Sequence, residues 1–270
     1  MPFSPLFSRR GVLAAALAAA SLVQAAPVLA ADPPKVIRIG APEQGAAGKS
    51  FAGASAFGLI HASKALEAEF AKDGIEVKWS LFKGAGPAVN EGLATGQLDL
   101  VFLGDLAGVI GRANGLKTRL VAASGRGANS YLAVPLGSDI KDFKDLKGKR
   151  VAVLRGTAYQ LPFDRLLREA GLTEKDIRFT NLDWPTSKAA LVTKDIDATV
   201  GGADLQLLKY AGTAEIATST KGRGPIYGIN AALIAADDFA SKHPDVLVRA
   251  LKVFVRQAHE IASDDAAKRE

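Results

Sequence analysis

At 270 residues the chain is long enough for one large domain or two modest ones with real cores. A content of 48% hydrophobic and 23% charged residues excludes a disordered or fibrous protein. With no cysteine and three histidines, thiol catalysis, zinc knuckles, iron–sulfur clusters, disulfides and a cysteine-anchored lipid are excluded, and a histidine metal site is disfavoured.

The first thirty residues read as an address. Ser8-Arg9-Arg10 precedes a charge-free run from Gly11 to Val23, and Pro27-Val28-Leu29-Ala30-Ala31 offers small residues for cleavage after Ala30 or Ala31. That is the order of a secretory signal over residues 1–31, with the arginine pair fitting a twin-arginine or a general export signal equally. Its alanine content argues against a membrane anchor. Without Arg9 and Arg10 the rest has 32 basic against 28 acidic residues, net +4. Those charges are dispersed, so nucleic acid is not an expected partner.

From Lys35 strand and helix patterns alternate, the signature of a parallel α/β sheet. Strand Val36–Gly40 is followed by helix Ala54–Lys72, strand Ile75–Phe82, helix Pro87–Thr95, strand Leu98–Gly104 and helix Leu106–Asn114. Strands Leu116–Ser124 and Tyr131–Pro135 come next. The series restarts at strand Arg150–Leu154, with helix Ala158–Ala170, strand Ile177–Leu182 and helix Thr186–Thr193. Strand Ala198–Gly202, helix Asp204–Tyr210, strands Glu215–Thr218 and Ile229–Ala235, and helix Pro244–Ser263 complete it.

A faint repeat supports two lobes on one plan. Pro87, Leu93, Thr95, Leu98 and Asp99 recur as Pro185, Leu191, Thr193, Ile196 and Asp197. Two facing α/β units present loops from the carboxyl ends of their strands to a shared cleft. Gly84-Ala85-Gly86-Pro87 and Arg155-Gly156-Thr157-Ala158-Tyr159 each lead from a strand into a helix, whose unpaired first amides attract anions; Pro87 is expected at the first helical position.

Other chemistries fail on particular residues. Gly48-Lys49-Ser50 imitates a phosphate loop, but Glu43 stands where that loop needs glycine. Gly53-Ala54-Ser55-Ala56-Phe57 lacks the last glycine of a nucleophile elbow. His61, His243 and His259 read as packing or surface residues, and Glu67/Glu69 or Asp237/Asp238 do not converge on one helix face. No catalytic group, metal site or cofactor is expected.

Asp145-Leu146-Lys147-Gly148-Lys149-Arg150-Val151-Ala152-Val153 resembles the opening of the second lobe in type II periplasmic solute-binding proteins, and is similar more narrowly to the nitrate/sulfonate/taurine-type components of ABC importers. Phe82-Lys83-Gly84-Ala85-Gly86-Pro87, Gly96-Gln97-Leu98-Asp99-Leu100, Gly104-Asp105 and Lys242-His243-Pro244-Asp245-Val246-Leu247 fit the same pattern in order. The resemblance implies two Rossmann-like lobes joined by hinge strands, residues 32–133 with 229–270 and residues 134–228, hinged near Ala133–Pro135 and Gly228–Asn230. It implies ligand contacts from Gln44, Gly84, Gly86, Gly104, Asp105, Ser124, Asn129 and Ser130 in the first lobe and its crossing. The second lobe would add Gly156, Thr157 and Tyr159 as amide, hydroxyl and phenol donors, with Trp184 as an apolar wall. Arg126, Arg155 and Arg223 are optional charge partners.

Relatives carry a Trp-Asp-Pro-like stretch where this chain has Val200-Gly201-Gly202-Ala203-Asp204, which implies a reshaped, larger pocket. They also continue beyond Asp264-Asp265-Ala266-Ala267-Lys268-Arg269-Glu270, so a C-terminally truncated chain is expected. The implied protein is a periplasmic monomer, not a lipoprotein and not an enzyme. It would capture a small organic anion such as an aliphatic sulfonate and deliver it to a membrane permease with a separate ATPase. Alternatives are an enzyme on the same fold, of the pyrimidine-precursor synthase kind, and a ligand-sensing periplasmic domain.

Overall fold

The computed structural model describes residues 32–42 and 56–262. The signal-like segment 1–31 and Gln44 lie outside the described residues.

Two five-stranded sheets share one plan. The first has the order β2-β1-β3-β10-β4. Here β1 (Val36–Ala41), β2 (Glu76–Leu81) and β3 (Leu100–Gly104) are parallel, and β10 (Ile229–Ala236) runs antiparallel between β3 and β4 (Thr118–Ala128). The second has the order β7-β6-β8-β5-β9. In it β6 (Arg150–Ala152), β7 (Arg178–Thr180) and β8 (Ala198–Gly201) are parallel, and β5 (Tyr131–Pro135) runs antiparallel between β8 and β9 (Ala214–Ser219). The expected all-parallel sheets are therefore mixed. A strand's hydrophobic pattern states its burial and not its direction.

Each sheet is covered on both faces, as its nearly unbroken apolar central strands require. In the first lobe, α1 (Ala56–Ser63), α2 (Ala65–Phe70) and α9 (Pro244–Ala262) cover one face. Ile60, Leu66, Phe70, Ala250 and Val253 there pack on Ile37, Ile39, Leu100 and Leu233. On the opposite face α3 (Ala85–Ala94) and α4 (Asp105–Ala113) bring Val89 and Ala107 against Leu98, Val101, Leu103 and Ile234. In the second lobe α5 (Gln160–Glu169) packs Phe163, Leu166 and Leu167 on Leu132, Val134, Val151 and Val200. Its other face is closed by Leu191 of α6 (Trp184–Val192) and Leu205 of α7 (Leu205–Tyr210).

The sequence repeat has a structural cause. Asp99, at the entry to β3, accepts from the Arg38 main-chain N–H (2.8 Å) and from its guanidinium (2.9 and 2.5 Å). Asp197, at the entry to β8, does the same for Arg150, at 2.7 Å to the main chain and 3.2 and 2.8 Å to the guanidinium. Each lobe thus ties the first of its three parallel strands to the third through one arginine–aspartate clamp, a bidentate and hence directional contact.

Several expected boundaries move. The single helix over residues 54–72 is broken at Lys64, whose φ of 54° puts a non-glycine residue in the left-handed region. Pro87 stands third in α3, a position whose amide has no helical partner in any case. The short helix α8 (Asp237–Lys242) between β10 and α9 was not expected. The chain crosses between sheets at Asn129–Ser130 and not at 133/134, because Ala133 and Val134 lie fully buried in β5. At that crossing Ser130 and Thr220 are joined twice. The Ser130 N–H donates to Thr220 Oγ1 (2.9 Å), and the Thr220 N–H donates to the Ser130 carbonyl (3.0 Å). Among the described residues no helix is long and apolar enough to cross a membrane.

Candidate functional site

Two helix starts face each other where the lobes meet. After β2 the chain turns through Gly84 into α3, and the Ala85 N–H is held by the Phe82 carbonyl at 3.0 Å. Ala85 adopts φ +52°, a left-handed conformation that a β-carbon resists by about 1–2 kcal/mol. Such strain tends to collect where backbone groups are aimed at something. Among the described residues the next amide, that of Gly86, has no intramolecular acceptor. Opposite it, the turn Arg155–Tyr159 leads from β6 into α5, and the amides of Thr157 and Ala158 are likewise unpaired.

Only very small side chains permit this approach. A Cβ built on Gly86 would lie 2.5 Å from Ala107 Cβ and 3.2 Å from the Gly156 carbonyl oxygen. One on Gly104 would lie 2.6 Å from Ala158 Cβ and 3.2 Å from its nitrogen. At the cleft mouth Lys83 pairs with Asp183 at 3.3 Å. That lysine is half exposed, so the pair adds little energy.

The cleft measures about 570 Å³. Gly86, Gly104 and Ala107 line it from the first lobe, Thr157, Tyr159 and Trp184 from the second, and Gly202 and Asp204 close its floor. Tyr159 and Trp184 stand edge to face at 6.0 Å. Asp204 is the sole carboxylate or basic side chain among the described lining residues, and Lys188 Nζ neutralises it at 2.7 Å. A larger groove of about 770 Å³ lies beside it on the first lobe, between α4 and β4, and shares Gly125, Asn230 and Ala231 with the cleft.

The expected site residues divide into groups. Gly86, Gly104, Thr157, Tyr159 and Trp184 come together around the cleft. Gly84 caps α3 just outside the lining. Gly156 is not an available donor, because its N–H is committed to Gln160 Oε1 at 2.8 Å. Nor is the Thr157 hydroxyl, which is buried and donates to the Leu154 carbonyl at 2.7 Å. This turn offers the amides of residues 157 and 158 instead.

Asp105 serves its own helix, accepting from the Leu106 N–H (2.7 Å) and from Asn230 Nδ2 (3.0 Å), and lines the neighbouring groove. Asn129 and Ser130 build the crossing between sheets with Thr220, and Ser124 lies within β4; none of the three lines the cleft. Arg126 lines the groove, Arg155 is tied to Glu174, and Arg223 hydrogen-bonds the Ser219 carbonyl. Sequence reasoning gave Lys188 no role, read Asn230 only as a hinge residue, and named Gly202 and Asp204 only as part of the stretch that reshapes the pocket, not as contact residues. The one available signal was Gly201-Gly202 at the carboxyl end of a strand.

Residues 70–267 match the model of a family described as NMT1/THI5 like. A protein of Bacillus subtilis (strain 168), provisionally named for binding aliphatic sulfonates, is 32% identical over 191 residues, 70% of this chain. The chain spans 56% of that relative's length. Among solved structures, SsuA of Methylobacillus flagellatus KT, provisionally assigned as the periplasmic sulfonate-binding protein of a sulfonate ABC transporter, superposes with a TM-score of 0.68 at 32% identity. The match covers 87% of this chain and 71% of that one. The alkanesulfonate-binding protein SsuA from Xanthomonas axonopodis pv. citri, bound to MOPS, gives a TM-score of 0.74 at 24% identity over 87% and 77% of the two chains. That last likeness speaks to the fold alone.

Proposed function

We propose, for a chain that belongs to the NMT1/THI5-like family, the role of periplasmic substrate-binding component of an ABC importer. It takes a small organic anion, an aliphatic sulfonate, between its lobes and hands it to a membrane permease driven by a separate ATPase. The observation that carries this reading is the pair of opposed turns into α3 and α5, with amides at Gly86, Thr157 and Ala158 that have no partner among the described residues. Three N–H groups, one in the first turn of α3 and two in the turn that precedes the N-cap of α5, replace water around a sulfonate's oxygens without a formal positive charge. Trp184, Leu207, Ile229 and Pro42 give the tail an apolar enclosure. Export and cleavage of residues 1–31 belong to the same proposal.

A thermal-unfolding panel tests it, with ethanesulfonate, butanesulfonate, taurine, MOPS, sulfate, nitrate and bicarbonate. A ligand at 100 times its dissociation constant adds about 2.7 kcal/mol, several degrees in a protein of this size. Stabilisation by an alkanesulfonate and none by nitrate or bicarbonate is expected. A folded sample that no sulfonate stabilises overturns the reading.

Pocket shape gives a second expectation. A Cβ at Gly202 would sit 2.6 Å from the Tyr159 hydroxyl. Gly202→Ala therefore displaces the phenol across the cleft floor and weakens sulfonate capture about tenfold by calorimetry, some 1.4 kcal/mol. An unchanged affinity would place the ligand away from this floor.

A further inference from the structure

A relay of side chains stands behind the second-lobe turn. The Gly156 N–H donates to Gln160 Oε1 at 2.8 Å, and Gln160 Nε2 donates to Glu174 Oε1 at 3.1 Å. The other Glu174 oxygen accepts from Arg155 Nη2 at 2.5 Å. The Arg155 guanidinium also lies 4.1 Å above the Phe179 ring. Glu174, in the turn Glu174–Asp176, thus fixes both residues that open the turn toward the cleft.

Asp164 stands on α5 four residues beyond Gln160, on the same helix face. Among the described residues no group donates a hydrogen bond to its buried Oδ1. The charged groups facing its carboxyl are Glu174, Arg168 and Arg155. One acceptor therefore confronts another, and only a proton shared between the two carboxyl groups satisfies both. Burial, followed by the Glu174 charge, raises Asp164 to about 6 against the pull of the two arginines.

We propose that Glu174 is a positioning residue for the ligand-facing turn Gly156–Ala158, and that the Asp164 carboxyl beside it makes ligand affinity fall as pH rises. With the proton in place Asp164 donates to Glu174, which keeps its grip on Gln160 and Arg155. Without it the two carboxylates repel, and the hold on Gly156 loosens. The affinity half rests on the anion-binding role proposed above; the relay itself does not.

The test therefore begins without ligand. The Gly156 amide resonance of the full chain is followed from about pH 5 to pH 8, across the range where Asp164 titrates. It should move with a midpoint near 6, while the opposed Gly86 amide stays still. Asp164→Asn supplies a permanent donor and should leave Gly156 flat; Glu174→Gln, which removes the opposing charge, should do the same. A flat wild-type profile, or titration that persists in both variants, overturns the relay. In a second arm, butanesulfonate affinity by calorimetry should fall about fivefold across the same range in wild type and not in Asp164→Asn. Equal affinity at both ends of the range overturns the coupling. If Gly156 titrates and butanesulfonate binds at neither end, the relay stands and the sulfonate reading fails.

Discussion

Gly104→Val abolishes ligand capture while each sheet stays folded. Gly104 has φ −62° and ψ 149°, a backbone that any residue adopts, so valine brings no conformational strain. The three atoms nearest its Cβ belong to Ala158 of the other lobe: Cβ at 2.6 Å, N at 3.2 Å and Cα at 3.5 Å. A branched side chain there holds the lobes apart and covers one of the unpaired amides. Affinity for a captured sulfonate should drop at least about 100-fold, close to 3 kcal/mol, by titration calorimetry. The thermal midpoint of the free protein should move by no more than a few degrees. Gly86→Ala is a poorer probe, because its β-carbon would also strike Ala107 of its own lobe at 2.5 Å. A Gly104→Val protein that binds as tightly as wild type would remove the cleft from consideration.

The second large effect falls on stability. Asp99→Ala should cost about 3 kcal/mol in denaturant unfolding, because it leaves the Arg38 main-chain N–H and guanidinium without their carboxylate. Asp99 is 7% exposed at its side chain, whereas its counterpart Asp197 is 31% exposed, so Asp197→Ala should cost about half as much. Asp197 also carries a pH signature. The Arg150 guanidinium and amide, opposed by burial, hold its carboxyl below the ordinary range. With the folded value depressed, its stabilisation is fully present above the ordinary carboxylate range and is lost as pH falls through the folded value. Asp197→Asn should therefore flatten the acid limb of the stability profile. Equal losses at Asp99 and Asp197 would contradict the part that burial plays here.

Much of this architecture was legible before any coordinates. Strand and helix alternate with clear punctuation, and the recurrence of Leu98-Asp99 as Ile196-Asp197 marks two copies of one clamp. The turns that lead into α3 and α5 were legible for the same reason, to within two residues of where each helix begins, since glycine-rich turns after buried strands have a fixed chemistry. Strand direction was not, because β10 and β5 carry the same apolar run either way. Donor assignment was not either. Whether Gly156 offers its N–H depends on Gln160, whose side chain turns back by one helical turn. Asn129 and Ser130 look like ligand-loop residues by composition, yet their partner is Thr220, ninety residues on, which local pattern does not reach. Lys188 and Asp204 meet only because α6 and the loop after β8 close over the same end of the second sheet.

The interleaving of the two sheets also bears on the order in which they form. Every strand of the second sheet lies between Tyr131 and Ser219, whereas the first sheet waits for β10, which begins at Ile229 and separates β3 from β4. During synthesis the second lobe can assemble while the first still lacks that strand, with β4 left unpaired on the side β10 will fill. Closing the first lobe then requires contacts across more than one hundred residues, a slow step of the kind high contact order imposes. An early, protease-resistant second lobe, followed by a late first lobe, is the folding sequence this chain order dictates.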